Sequence, residues 1–149
     1  MTKNDLSTRF PKASRYRNMQ FFQPGFVREP APPEELFPFA ERHLQCIWAD
    51  ASWRPPALRS SDGEEIVIES PGRWNMEAGP DFLDAAIRVG PDHRQLQGDV
   101  EVHIRPADWL SHHHGADPRY SRVVAHVCYY DGALPIDELP PGAVTILLK

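Results

Sequence analysis

The stretch from Gly98 to Arg105 alternates strictly between apolar side chains and charged or imidazole side chains, and this pattern constrains the fold most. Alternation with a period of two places Val100, Val102 and Ile104 on one face of a β-strand. An ordinary half-buried strand carries Thr, Ser or Lys on its other face, but this strand carries reactive groups. We therefore predict a strand with one core face and one face bearing a candidate site, formed by Asp99, Glu101, His103 and Arg105.

Length and composition limit the class of protein. The chain has 149 residues, of which 41% are hydrophobic, and this predicts one domain with a core. Its net charge of -5 excludes a generally basic surface, so any contact with nucleic acid would be local. The chain lacks an apolar run of about eighteen residues and a hydrophobic leader, which predicts a cytoplasmic protein without membrane contact. Cys46 and Cys128 lack metal-finger spacing and are expected to be free thiols.

The order of elements predicts an α/β domain over residues 34–149, preceded by a flexible N-terminal arm over residues 1–33. Apolar residues recur at helical spacing after Glu34. Strands are expected over 65–69, 81–89, 97–105 and 121–130, with a short helix over 106–114. A last apolar run over 144–148 ends next to the C-terminus, so we expect a domain that is truncated there.

The second and third predicted strands should form an antiparallel hairpin folded near residue 92. This places Asp81 across from Glu101 and His103, with facing β-carbons roughly 4.5 to 5.5 Å apart. Two carboxylates are suitable ligands for Mg²⁺ or Mn²⁺, and a neighbouring polar group can activate a water molecule. The alternative is that the polar face of the strand only makes cross-strand ion pairs on an exposed sheet.

This order of elements resembles the core of the PD-(D/E)XK nuclease superfamily. The resemblance implies that Asp81 and Glu101 hold a metal ion, with Glu41 from the first helix as a further acid. His103 lies where the superfamily has a lysine. A neutral imidazole lacks a permanent positive charge, and Arg105 is the candidate to supply that charge.

The histidines form a second constellation. A zinc site is predicted from His103, His126 and either His112 or His114. The alternative is one buried, hydrogen-bonded His126 beside a cluster that faces solvent. The loop before the second strand leaves two interpretations open as well, because Asn75 can either line a pocket or hold the loop through side-chain to backbone bonds.

Several motifs between residues 35 and 131 are similar to the bacterial DUF2851 family, a domain of unknown function. They are Glu41-x-x-Leu44-Gln45-x-Ile47-Trp48, Asp62-Gly63, Pro71-Gly72-x-x-Asn75-x-x-Ala78-Gly79-Pro80-Asp81-Phe82-x-x-Ala85, Gly98-Asp99-Val100-Glu101-Val102-His103, Asp108-Trp109-x-x-His112-x-His114-x-x-Asp117-x-x-Tyr120 and Val123-Val124-x-His126-Val127. The resemblance implies no established activity. It adds motif positions to the candidate site, namely Asn75, Asp99, Asp108, His112, His114 and Asp117.

Together these observations predict a mixed four-stranded sheet with flanking helices, in the restriction-endonuclease-like αβββαβ order. We expect a metal-dependent, nuclease-like hydrolase that acts on phosphodiesters of nucleic acid, with Mg²⁺ or Mn²⁺ ahead of zinc as its cation. Two alternatives are a non-catalytic module that binds a partner protein and the histidine zinc site. The predicted catalytic residues are Asp81, Glu101, His103 and Arg105, the predicted metal ligands are Asp81, Glu101, His103 and His126, and Glu41 is a further candidate.

Overall fold

A computed structural model of the chain describes residues 40–135 and 137–149, and all structural statements concern those ranges. The predicted arm over 1–33 and the start of the predicted first helix lie outside them. The described elements are α1 (Glu41–Ala49), β1 (Leu58–Ser60), β2 (Glu65–Ser70), β3 (Arg73–Trp74), β4 (Phe82–Val89), β5 (Arg94–His103), α2 (Asp108–Ser111), β6 (Val123–Cys128) and β7 (Val144–Leu147). None of the helices in this part of the chain combines the length and the apolar character needed to span a membrane.

The strands form one sheet that closes on itself. Their order is β2-β1-β7-β6-β5-β4-β3, and β2 pairs in addition with β4. Six strands therefore make a closed barrel, and β3 extends the pairing along β4. The β5–β6 and β6–β7 pairs are parallel, whereas the other pairs are antiparallel.

The predicted mixed four-stranded sheet with flanking helices is wrong, as is the restriction-endonuclease-like order. Two features close the barrel, namely the pairing of β2 with β4 and the insertion of β1 between β2 and β7. With three residues, β1 is too short to show a period of two in the sequence. The predicted edge of the sheet is thus covered by a strand that the pattern did not reveal.

Within residues 40–135 and 137–149, α1 is the only helix of several turns. The predicted helix over 106–114 is reduced to α2, which has four residues. His113 adopts a left-handed backbone with φ of 60°, which ends the helical path. Two single-turn 3-10 helices follow, His114–Ala116 and Pro118–Tyr120.

The barrel interior is the main hydrophobic core, and β5 supplies its centre. Val100 and Val102 point into it as predicted, and both are almost fully buried. Leu44 and Trp48 of α1 join the same core, and the indole N–H of Trp48 donates to the carbonyl of Pro71 at 3.0 Å. Burying a side chain the size of leucine contributes roughly 1.5 to 3 kcal/mol, so α1 is held mainly by this packing.

The predicted antiparallel hairpin is confirmed, with a bulge in its first strand. Ala85 pairs with Gly98, but Phe82 pairs with Val100, so β4 contains one extra residue there. Asp84 lies in this bulge with φ of 59°, and its N–H donates to the carboxylate of Asp99 at 3.1 Å. The bulge changes which residue of β5 lies level with the start of β4.

A second irregularity brings β6 unusually close to β5. Asp99 pairs with Val123, whereas Val100 pairs with Ala125, so Val124 is the extra residue of β6. A Cβ atom on Gly98 would lie 2.4 Å from the Arg122 carbonyl oxygen and 2.6 Å from a methyl group of Val124. Glycine is therefore required at this position by the neighbouring strand.

We expect Gly98→Ala to lower the free energy of unfolding by about 1 to 3 kcal/mol, because a backbone carbonyl cannot move aside as a side chain can. The measurement is equilibrium unfolding in urea. Gly132→Ala is the matched control, since a Cβ there would meet only Pro106 at 3.4 Å, and its change should stay within about 0.5 kcal/mol. Equal stability of Gly98→Ala and the wild type would contradict the close approach of β6.

Candidate metal centre

The polar face of β5 is buried, not exposed. Asp99 is 3% exposed, Glu101 6% and His103 1%. The segment after β5 lies over this face, because the side chains of His112, which follows α2, and of His114, in the first 3-10 helix, contact it. Buried polar groups need partners, so the arrangement of this cluster is strongly constrained.

Three imidazoles meet above this face. Nε2 of His103 lies 3.1 Å from Nδ1 of His112 and 3.3 Å from Nε2 of His114. All three nitrogens lie within 4.8 Å of one another. His103 and His114 are buried, whereas His112 is exposed. This group of three histidines could hold a metal ion.

Glu101 places a carboxyl oxygen beside the same group. Its Oε1 lies 3.1 Å from Nε2 of His114 and 3.5 Å from Nε2 of His103. Its other oxygen accepts a hydrogen bond from the backbone N–H of Asp81 at 3.1 Å. One oxygen of Glu101 therefore faces the three histidines, and the other is held by the backbone.

The spacing of these atoms can be compared with that of a metal site. Zinc in tetrahedral coordination binds nitrogen and oxygen at about 2.0 to 2.1 Å, which places neighbouring ligand atoms roughly 3.3 to 3.4 Å apart. Four of the separations here are 3.1, 3.1, 3.3 and 3.5 Å. These four are close to edges of such a tetrahedron, whereas the group of three histidines spans up to 4.8 Å.

Burial and mutual repulsion shift the pKa values of the cluster. Burial, reinforced by the charges of Asp81 and Glu41, raises the pKa of Glu101 to about 9. Burial and the adjacent imidazoles lower the pKa of His103 to about 2. Burial, with the neighbouring His112, lowers the pKa of His114 to about 4. The two buried imidazoles are neutral at pH 7, which is the form that binds metals.

Asp81 lies beside Glu101, as the hairpin predicted, but its oxygens are already used. Oδ1 accepts a hydrogen bond from the Gln45 amide at 2.7 Å, and Oδ2 accepts one from the N–H of Val102 at 3.0 Å. Burial raises the pKa of Asp81. Asp81 therefore connects α1, β4 and β5 and holds the Glu101 carboxyl in place.

His126 lies behind His103, not beside the other ligand atoms. Its Nε2 is 2.8 Å from Nδ1 of His103, the ring nitrogen that faces away from His112 and His114. Burial and the nearby His114 lower the pKa of His126 to about 3. Both cysteines are free, as expected, and the sulfur of Cys128 lies 3.5 Å from Nε2 of His126. Of the predicted zinc set, His126 is thus outside the group of three histidines that could hold a metal ion.

Three further candidate residues, Glu41, Asp108 and Arg105, lie at the edge of the histidine and carboxylate cluster. Glu41 accepts a hydrogen bond from the Ile104 N–H, and burial raises its pKa. Asp108 accepts a hydrogen bond from the backbone N–H of Arg105 at 2.9 Å. The guanidinium of Arg105 lies over the ring of Tyr130, 5.4 Å from its centroid. Arg105 is exposed.

Three other candidates stabilise the backbone. Asn75 donates to the Pro80 carbonyl at 2.8 Å and accepts from the N–H of Glu77 at 3.0 Å, which matches the loop-holding interpretation. Asp117 accepts from the N–H and the guanidinium of Arg119. Asp99 supports the β4 bulge described above. Their described hydrogen bonds explain these positions without a bound ligand.

Sequence reasoning missed the aromatic wall of the cluster. Tyr120 stacks on His114 with ring centroids 4.0 Å apart. Trp109 is fully buried, contacts the rings of both His114 and His126, and donates from its indole N–H to the Glu138 carbonyl at 2.9 Å. The signal was present, because both aromatics flank the histidine run in the sequence.

Comparisons with known proteins identify a family. A family described as a protein of unknown function, DUF2851, matches residues 41–138. No curated protein and no solved structure matches the chain. The resemblance to the PD-(D/E)XK superfamily therefore gains no support, whereas the matched range includes the whole histidine and carboxylate cluster. The chain belongs to the DUF2851 family.

Proposed function

We propose that this domain binds one zinc ion through His103, His112, His114 and Glu101. The observation that carries the proposal is the position of Nε2 of His103, which lies 3.1 to 3.5 Å from Nδ1 of His112, Nε2 of His114 and Oε1 of Glu101. Three imidazoles and one carboxylate make a donor set that zinc accepts in a tetrahedral site. His103 and Glu101 come from one strand, so half of the site is held rigidly by the sheet.

The donor set favours zinc over the Mg²⁺ or Mn²⁺ that the sequence led us to expect. Magnesium requires six oxygen ligands in octahedral geometry, and manganese also prefers oxygen. Here three of the four ligand atoms are imidazole nitrogens. Asp81 and Glu101, the two carboxylates expected to bind that ion, do not both have an oxygen facing one ion position. Both oxygens of Asp81 accept hydrogen bonds within the protein.

The electrostatics of the cluster also favour a cation. Glu101 is buried next to Asp81 and near Glu41, and these charges disfavour its ionised form. A divalent ion at the four ligand atoms would reverse this effect, because it is a larger and closer charge than either neighbour. The cluster therefore gains stability from a bound cation that its own residues do not provide.

The ion would connect two parts of the domain. His103 and Glu101 belong to β5, His112 directly follows α2 and His114 begins a 3-10 helix. A closed site with four protein ligands is typical of structural zinc. We propose that zinc fastens the covering segment to the barrel, with the aromatic wall of Trp109 and Tyr120 beside it.

Tag-free protein should contain one zinc ion per chain, measured by inductively coupled plasma mass spectrometry after gel filtration. His112→Ala should lose this zinc, because only three ligands would remain, and the affinity should fall by more than the roughly tenfold cost of losing an outer partner. His93→Asn is the matched control, since His93 is an exposed histidine in the turn before β5 and should leave the zinc content unchanged. Full zinc occupancy in His112→Ala would contradict the proposed ligand set.

Removal of zinc should lower thermal stability. A ligand present at 100 times its Kd stabilises the folded state by about 2.7 kcal/mol, which corresponds to a change in Tm of about 10 °C. We expect EDTA to lower the Tm of the wild type by this amount in differential scanning calorimetry. His112→Ala, whose substituted side chain is exposed, should show the lower Tm with or without EDTA. An identical Tm of the wild type in zinc and in EDTA would contradict a structural role.

A zinc-dependent hydrolase is the second candidate function, and the exposure of His112 favours it. Solvent reaches this side of the cluster, so a water molecule can approach an ion there. Zinc lowers the pKa of a bound water molecule to about 7 and so produces a nucleophile. If this candidate holds, zinc-loaded protein should hydrolyse bis-p-nitrophenyl phosphate or a nucleic acid, and His112→Ala should not. If zinc-loaded wild type shows no turnover, the hydrolase candidate is wrong and only the structural role remains.

A further inference from the structure

One buried imidazole of the cluster is not among the proposed ligands. His126 is fully buried in the middle of β6, where it pairs in register with Glu101 of β5. Its Nε2 lies 2.8 Å from Nδ1 of His103, and the two rings meet edge to face at 82°. The contact is the shortest between two histidines in the cluster.

The positions of the protons decide what this contact does. A neutral imidazole carries one proton, so a His103 that offers Nε2 to a metal ion must carry its proton on Nδ1. That N–H is buried and points at Nε2 of His126. It is satisfied only if Nε2 of His126 is unprotonated, which places the proton of His126 on its own Nδ1.

The surroundings of His126 are compatible with this direction. The sulfur of Cys128, a weak acceptor, lies 3.9 Å from Nδ1 of His126 and 3.5 Å from its Nε2. The indole of Trp109 packs on the same ring, with centroids 5.3 Å apart. In this direction the Nδ1–H of His103 donates to Nε2 of His126, whose own proton lies on Nδ1.

We infer that His126 is the positioning residue of the metal centre, because it holds His103 in the tautomer that leaves Nε2 free for the ion. The inference rests on the proposed zinc site. In the reverse direction, Nε2–H of His126 would donate to His103, and the proton of His103 would lie on Nε2 among the ligand atoms. An ion could not bind there until that proton left.

This role differs from that of a structural hydrogen bond. A purely structural pair is satisfied by either proton direction, because each direction provides one donor and one acceptor. Orientation of a metal ligand requires one direction only. Residues that hydrogen-bond a metal ligand in this way change metal affinity by about 10-fold to 100-fold when they are removed.

The affinity test compares two substitutions at one position. His126→Leu removes the acceptor, and we expect the Kd for zinc to rise by about 10-fold to 100-fold in a competition titration with a chromogenic chelator. His126→Gln keeps an acceptor oxygen near the position of Nε2 and should bind zinc within a few-fold of the wild type. Val127→Ala is the matched control for loss of buried volume on the same strand, and should leave the Kd unchanged.

A spectroscopic measurement tests the proton direction itself and needs no substitution. Long-range ¹H–¹⁵N NMR of the zinc-loaded wild type should show protons on Nδ1 of both His103 and His126. A proton on Nε2 of His126 would overturn the inference. If His126→Leu does not fold, the NMR result and the His126→Gln affinity decide the question.

The outcomes separate the inference from the proposed function. A wild type that binds no zinc overturns the zinc site itself. A wild type that binds zinc, together with a folded His126→Leu of equal affinity, overturns only the positioning role.

Discussion

Strand β5 is buried on both faces over residues 98–103, and the rest of the structure depends on this constraint. Its apolar face fills the barrel, where Val100 and Val102 pack against residues of α1 and other strands. Its polar face places Glu101 and His103 under the segment that follows it. A buried carboxyl and a buried imidazole are costly without partners, so that segment must supply them. The same strand thus determines both the core and the candidate metal centre.

Much of the central sheet could be predicted from the sequence. The alternation along β5 and the turn after residue 89 gave a correct antiparallel hairpin with the correct core face. The β-branched run over Val123–Cys128 correctly predicted β6. These elements are long enough for their periodicity to be visible. Closure of the barrel depends on β1, which has three residues, and on pairing between β2 and β4, neither of which leaves a periodic pattern.

The sequence indicated the residues of the candidate site better than it indicated how they are arranged. Glu101, His103, His112 and His114 were all singled out, but the pattern did not show which of them would share one point. That grouping depends on the left-handed backbone of His113, which turns His114 back toward β5. A left-handed histidine has no clear sequence signal. The bulge at Asp84 likewise determines that Asp81 contacts Glu101, and tertiary contacts stabilise it.

The proposed zinc site specifies the position of the ion, and one measurement tests that position directly. A crystal structure of tag-free protein, with anomalous diffraction data collected above and below the zinc absorption edge, would locate the ion. We expect one zinc peak at about 2.0 to 2.2 Å from Nε2 of His103, Nδ1 of His112, Nε2 of His114 and Oε1 of Glu101. A zinc-saturated crystal with no peak at these four atoms, or with its peak elsewhere, would contradict it.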